Sequence, residues 1–124
     1  MRRRILVIDD DAGIRDSLRM ILEYENFGVI EAAFGPDGIA RVKRGPPDMV
    51  ILDIKMPGMN GLGTLAEIRT IDEALPVAIV SGHGTITDAM QATRLGAFDF
   101  IERPFTSERV LVMVAKGLVV RELR

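Results

Sequence analysis

The stretch Met49-Val50-Ile51-Leu52-Asp53-Ile54-Lys55-Met56-Pro57-Gly58-Met59-Asn60-Gly61 decides how this chain is read. Its first four residues are aliphatic and carry no polar alternation. They have the length of a strand and the character of one buried on both faces. They stop at a carboxylate, Asp53, with no helix start directly behind it, so helix capping does not account for that aspartate. Four more short apolar blocks lie at residues 5–8, 28–32, 77–80 and 98–101. Between the blocks the apolar residues recur at helical spacing, first as Ile14, Leu18, Ile21 and Leu22. Gly35-Pro36-Asp37 opens a second helix and Gly45-Pro46-Pro47 closes it. Leu62, Leu65, Ala66 and Ile68 sketch a third. Residues 86–95 sketch a fourth, stopped by Gly96 as a left-handed cap. The last helix follows Pro104 with Thr106 or Ser107 as its N-cap, and Val110, Leu111, Val114, Leu118 and Val119 as its apolar positions. Strict alternation with short connections predicts an α/β fold, a doubly wound five-stranded parallel sheet with helices on both faces.

With 124 residues the chain is one domain, long enough to bury a core. A content of 48% hydrophobic and 27% charged residues separates it from disordered sequences. No apolar run approaches the ~20 residues of a membrane helix. The apolar run after Arg2-Arg3-Arg4 stops at Asp9, Asp10 and Asp11, short of the roughly 7–15 residues of a secretory signal. There is no cysteine, which excludes disulfides and thiolate metal sites and fits a cytoplasmic location. With one histidine, His83, a structural zinc site is all but excluded. A net charge of −2 gives no basic excess for nucleic acid, so DNA contact would need a separate module.

Ligands of open parallel sheets bind beyond the carboxyl ends of the strands. After the first block stand Asp9, Asp10 and Asp11; after the third, Asp53; after the fourth, Ser81-Gly82-His83; after the fifth, Glu102-Arg103-Pro104-Phe105. Carboxylates gathered at one edge repel unless a cation sits among them. With oxygen ligands alone the natural ion is Mg²⁺, with Mn²⁺ or Ca²⁺ as alternatives. Each residue also has an ordinary reading. Asp9, Asp10 or Asp11 singly could cap a helix, Ser81 could fill a turn, and Arg103 could be a surface charge before a proline. The coincidence of four strand ends favours a site. His83, alone in a glycine-rich loop, is assigned no role, and the methionines form no metal-binding stripe.

Residues 5–11, Leu52-Asp53-Ile54-Lys55-Met56-Pro57-Gly58-Met59-Asn60-Gly61, Ser81-Gly82-His83-Gly84 and Arg103-Pro104-Phe105 together resemble the receiver domain of two-component response regulators. The segments at 81–86 and 96–102 are most similar to the NtrC/NtrX branch, where the receiver joins an ATPase module and a DNA-binding module of sigma-54-dependent activators. The resemblance implies a flavodoxin-like strand order 2-1-3-4-5. It implies a signalling switch rather than an enzyme acting on other substrates. Asp53 would be the phosphoacceptor, charged by a sensor histidine kinase. Asp9, Asp10, Asp53 and the Lys55 backbone carbonyl would bind Mg²⁺. Ser81 would hydrogen-bond the phosphoryl group, and Phe100 would be either an aromatic switch or plain core. Asp11 matches no ligand position and reads as a cap or a solvated charge. Arg103 departs from the family, which carries lysine there; its planar fork is longer and differently shaped than an ammonium.

Three other readings compete with the switch. A haloacid-dehalogenase-type phosphatase needs a general-acid aspartate where Lys55 stands. A flavin carrier would want a hydroxyl-rich phosphate loop where the carboxylates are. A pseudo-receiver that never takes phosphate is supported by Arg103 alone. The last helix shows no terminating Gly or Pro, which suggests residues 1–124 are the N-terminal receiver of a longer regulator. Its apolar residues outside the core stripe, taken as Val112, Met113, Val119 and Val120, suggest a homodimer through that helix.

Overall fold

The computed structural model describes residues 2–56, 58–82 and 85–123. Pro57, His83 and Gly84 of the quoted motifs lie outside the described residues. Five strands alternate with five helices: β1 (Arg4–Ile8), α1 (Ala12–Tyr24), β2 (Gly28–Ala32), α2 (Gly35–Arg44), β3 (Met49–Leu52), α3 (Gly61–Ile71), β4 (Val77–Ser81), α4 (Ile86–Arg94), β5 (Asp99–Glu102) and α5 (Ser107–Glu122). The strands form one parallel sheet in the order β2-β1-β3-β4-β5, the doubly wound flavodoxin-like arrangement. No helix among the described residues is long and apolar enough to cross a membrane.

Continuous apolar strands serve two cores at once, because neighbouring residues point to opposite faces. Leu6, Ile8, Val50, Leu52, Val77 and Ile79 face α2, α3 and α4, where Val42, Leu65, Ile68 and Ala92 meet them. Ile5, Val7, Met49, Ile51, Ala78 and Val80 face α1 and α5, where Leu18, Leu22, Val110, Val114 and Leu118 close the other side. Each fully buried aliphatic side chain contributes about 1.5–3 kcal/mol, which sets the register of every strand.

Local signals set the helix ends. Asp11 caps α1 and Thr106 caps α5, both among the caps the sequence offers, and Thr85 caps α4 in a reciprocal capping box with Asp88 that the sequence reading did not include. Gly96 takes φ +91°, and Arg69 fills the space where its side chain would be. The Arg69 guanidinium donates to the carbonyls of Asp72, Leu75, Leu95 and Gly96, tying α3 to the turn that follows α4.

One reading of α5 needs correction. Met113, taken from its spacing as lying outside the core stripe, is fully buried, while Val119 is exposed. The core stripe is Val110, Met113, Val114, Gly117 and Leu118. Gly117 disguises it: a side chain there would meet Phe98 and the Met49 sulfur below 3 Å, so the stripe carries a glycine where the sequence period calls for an apolar residue.

The strand order also creates the cleft. The crossover from β1 runs to β2 at one side, and that from β3 runs to β4 at the other. The loops after β1 and β3, side by side at the carboxyl edge, therefore diverge and leave a crevice.

Candidate functional site

Asp9 and Asp53 follow directly on β1 and β3, whose last residues Ile8 and Leu52 are register partners. The Asp53 N–H donates to the Ile8 carbonyl at 2.9 Å, and the Asp9 N–H to the Ala32 carbonyl at 3.1 Å. The two aspartates are thereby fixed at one level, each 2% exposed. Asp10, exposed beside them, completes a cluster in which one carboxylate oxygen from each residue lies within 4.8 Å of the others.

The electrostatics of this cluster favour a cation. Burial pushes the Asp9 carboxyl up to about 6; the Asp11 N–H opposes this, and the Asp53 charge adds to it. Burial also raises Asp53, against the pull of Arg103 and the Lys55 N–H, with the Asp10 charge raising it further. Carboxylates held close and partly dehydrated repel one another, and every donor is an oxygen. That donor set fits a small hard dication, and these three residues could hold one.

The loop after Asp53 is built by backbone packing. The Lys55 N–H lies 3.4 Å from Asp53 Oδ1. Asn60 caps α3 by accepting from the Gly63 N–H at 3.0 Å, and the Gly61 N–H returns to the Ile54 carbonyl at 2.7 Å. Gly61 sits directly against the Asp53 peptide, with no room for a side chain. The glycine that ends the quoted stretch therefore lets α3 start hard against the loop that carries Asp53. The Lys55 ammonium turns outward, 3.5 Å from Asp88 Oδ2 at the start of α4.

The remaining strand ends close the cleft. Ser81 ends β4 and is fully buried; its carbonyl accepts from the Arg103 N–H at 2.9 Å. Arg103 reaches back over Gly82, with Nη2 3.9 Å from Asp53 Oδ1 and Nη1 3.8 Å from Asp11 Oδ2. Phe100 is half-buried and packs against the core on the α3 and α4 side. An open cleft of about 700 Å³ results, lined by Asp10, Asp11, Asp53, Lys55, Gly82 and Arg103 among others. The structure thus brings Asp9, Asp10, Asp53, Lys55 and Arg103 together and sets Phe100 to one side.

Sequence reasoning missed Arg15. Its Nη1 donates to the Asp9 carbonyl at 2.6 Å, and its Nε lies 3.2 Å from Glu31 Oε1, so it braces the loop that carries the acidic pair. The available signal was its place one turn into the helix that Asp11 opens, where a long cation can fold back over the preceding loop.

The pattern described as "Response regulator receiver domain" matches residues 5–115. The chain belongs to the response regulator receiver domain family. This receiver is 36% identical over 122 residues to an NtrX-like response regulator of Rickettsia bellii, covering 97% of the receiver and 26% of that protein. It is 37% identical over 120 residues to the C4-dicarboxylate transport transcriptional regulatory protein DctD of Pseudomonas aeruginosa, again covering 97% of the receiver and 26% of its relative. The crystal structure of NtrX from Brucella abortus superposes with a TM-score of 0.93 at 38% identity, covering 99% of the receiver and 28% of that chain. The receiver spans about a quarter of the length of these relatives.

Proposed function

We propose that this receiver is a phosphorylation-dependent switch that takes a phosphoryl group from a sensor histidine kinase onto Asp53. The observation that carries the reading is the Asp53 carboxylate at the cleft floor, 2% exposed, with Asp9 and Asp10 beside it and a guanidinium 3.9 Å away. An oxygen of Asp53 attacks phosphorus, the bond from phosphorus to the kinase imidazole nitrogen breaks, and its electron pair leaves with the imidazole. The product is an acyl phosphate on Asp53.

Asp9, Asp10, Asp53 and the Lys55 carbonyl are the ligands we assign to Mg²⁺. When bound, the ion offsets the carboxylate charge and offers coordination to phosphoryl oxygens. Arg103 balances negative charge on the transferring group. Ser81 hydrogen-bonds the phosphoryl oxygen once it is attached, and Phe100 reorients as the Ser81 loop moves. The receiver catalyses only its own phosphorylation and dephosphorylation.

The relatives' lengths and the name of DctD support a wider assignment. We read residues 1–124 as the receiver part of a longer cytoplasmic transcription regulator, with DNA contacted through a separate output module. Exposed Val112, Val119 and Leu123 on and beyond α5 support a homodimer through that helix. Light scattering with and without beryllofluoride tests the dimer; a strict monomer at high concentration in both states refutes it.

The acceptor is tested by incubation with acetyl phosphate and Mg²⁺, read by intact mass. One phosphoryl adduct is expected, absent in Asp53→Asn. An adduct that survives this substitution overturns the assignment. The absence of any adduct on the parent points instead to a pseudo-receiver.

A further inference from the structure

We propose that Asp11 is a positioning residue for Arg103, holding one arm of its guanidinium so that the other serves Asp53 without clamping it. This rests on Asp53 being the acceptor. The seat of Arg103 has three parts. Beneath it lies Gly82, where a side-chain carbon would come within 2.8–3.1 Å of Nη2, Cζ and Nε together. Three atoms of a plane at nearly equal distance mean that the guanidinium lies flat on the glycine. At one end Nη2 is 3.9 Å from Asp53, and at the other Nη1 is 3.8 Å from Asp11. Nε is buried and has no hydrogen-bond partner among the described residues. The charges that face its two ends are therefore the carboxylates of Asp53 and Asp11, both at ion-pair distance.

The chemistry makes the second carboxylate consequential. Guanidinium and carboxylate match as a bidentate pair, and such a pair engages both oxygens of the acid. An acceptor held that way has a charge-assisted hydrogen bond on each oxygen, which draws electron density from both and weakens their attack on phosphorus. Asp11 competes for the fork and keeps the contact with Asp53 to one oxygen. A lysine ammonium is a point charge with no second arm, so this function of Asp11 exists only with arginine at 103. Asp11 Oδ1 is separately engaged in capping α1, accepting from Gly13 and Ile14, while Oδ2 is the atom turned to Arg103. The two roles can be separated, because asparagine caps as well as aspartate but carries no charge.

The test is a double-mutant cycle with Asp11→Asn and Arg103→Lys, read by acetyl-phosphate-driven phosphorylation in Mg²⁺. Asp11→Asn is expected to slow the parent about two- to fivefold, the scale of a partly exposed charge contact. In the Arg103→Lys background it should change nothing or give a slight acceleration. Loss of a negative charge alone would speed reaction with an anionic donor in both backgrounds, so the sign separates positioning from bulk electrostatics. Equal effects in both backgrounds, or acceleration in both, overturn the proposal. A second readout needs no phosphorylation: the Arg103 Nε–H resonance should shift in Asp11→Asn while the melting temperature stays at the parent value. An unmoved resonance also overturns the proposal. A parent that takes no phosphoryl group removes the acceptor assignment instead, and leaves the resonance to decide the position of Arg103.

Discussion

Replacing Gly61 by alanine should damage stability and phosphorylation together, through the backbone. A methyl carbon at residue 61 would lie 2.1 Å from the Asp53 carbonyl oxygen, 2.5 Å from Ile54 Cα and 2.8 Å from the Asp53 carbonyl carbon. Non-bonded heavy atoms keep about 3.5 Å, so the shortfall exceeds 1 Å, and every obstructing atom is main chain that cannot rotate away. The first turn of α3 must retreat from the loop. Overpacking of this kind costs about 1–3 kcal/mol. Stretching the 2.7 Å bond from Gly61 to Ile54 adds about 1 kcal/mol. For a domain of this size the melting temperature should fall by about 10 °C. An acceptor displaced by 1 Å should react about 10²-fold more slowly. Gly63→Ala is the control within the same helix turn. Its added carbon meets the flexible Met59 side chain at 3.4 Å, and the substitution should be neutral or stabilise by about 0.4–1 kcal/mol. Thermal unfolding and acetyl-phosphate labelling of both variants decide the matter. A Gly61→Ala protein that melts with the parent and labels at the parent rate would refute the argument.

The other predictions concern charge. Arg103→Ala should slow acetyl-phosphate labelling by about 10²–10³, while Arg103→Lys should match or exceed the parent; a full-rate alanine variant would make Arg103 a surface charge. Asp10→Ala should abolish Mg²⁺ binding and labelling yet raise the melting temperature of the metal-free protein, because a like charge leaves the cluster; calorimetric titration showing parent affinity would contradict this. Asp9 binds its proton more tightly in the fold than in the unfolded chain. Its contribution to metal-free stability is therefore complete below the ordinary aspartate range and is lost as pH rises through about 6. Mg²⁺ affinity should run the opposite way, weakening as pH falls through the same region, since the ligand must shed its proton; pH-independent affinity between 5 and 8 would rule this out.

Most of the fold was legible because its signals are local. Unbroken aliphatic runs such as Met49–Leu52 are filled on both faces, and Asp11, Thr106 and Gly96 end their helices by chemistry carried within a few residues. Where reading slipped, the cause was tertiary. Met113 is core because Gly117 lets Phe98 and Met49 approach α5, a fact held by two distant strand ends. The acidic cluster was legible because two of its three members, Asp9 and Asp53, directly follow strands and the third, Asp10, is next in the chain. The bracing of Asp9 by Arg15, and the sharing of Arg103 between Asp11 and Asp53, depend on side-chain directions that spacing alone does not encode.

The Arg69 contacts would make the carboxyl end of α4 the fulcrum of any tilt of that helix. A guanidinium bonded to four carbonyls fastens the carboxyl end of that helix to α3 and to the turn before β5. The buried residue of α4 among those described, Ala92, lies near the same end, while Ile86 at the other end and Met90 at mid-helix are exposed. A helix of this length spans about 13 Å, so a tilt of about 15° with its fulcrum at Arg69 carries the Ile86 end through about 3 Å. The amplitude of such a tilt would be largest beside the cleft, where Asp88 meets Lys55, and smallest at the anchored turn. A surface that gains or loses a partner as α4 swings should therefore be sought around Ile86 and Met90, and its range of motion should widen when Arg69 is removed.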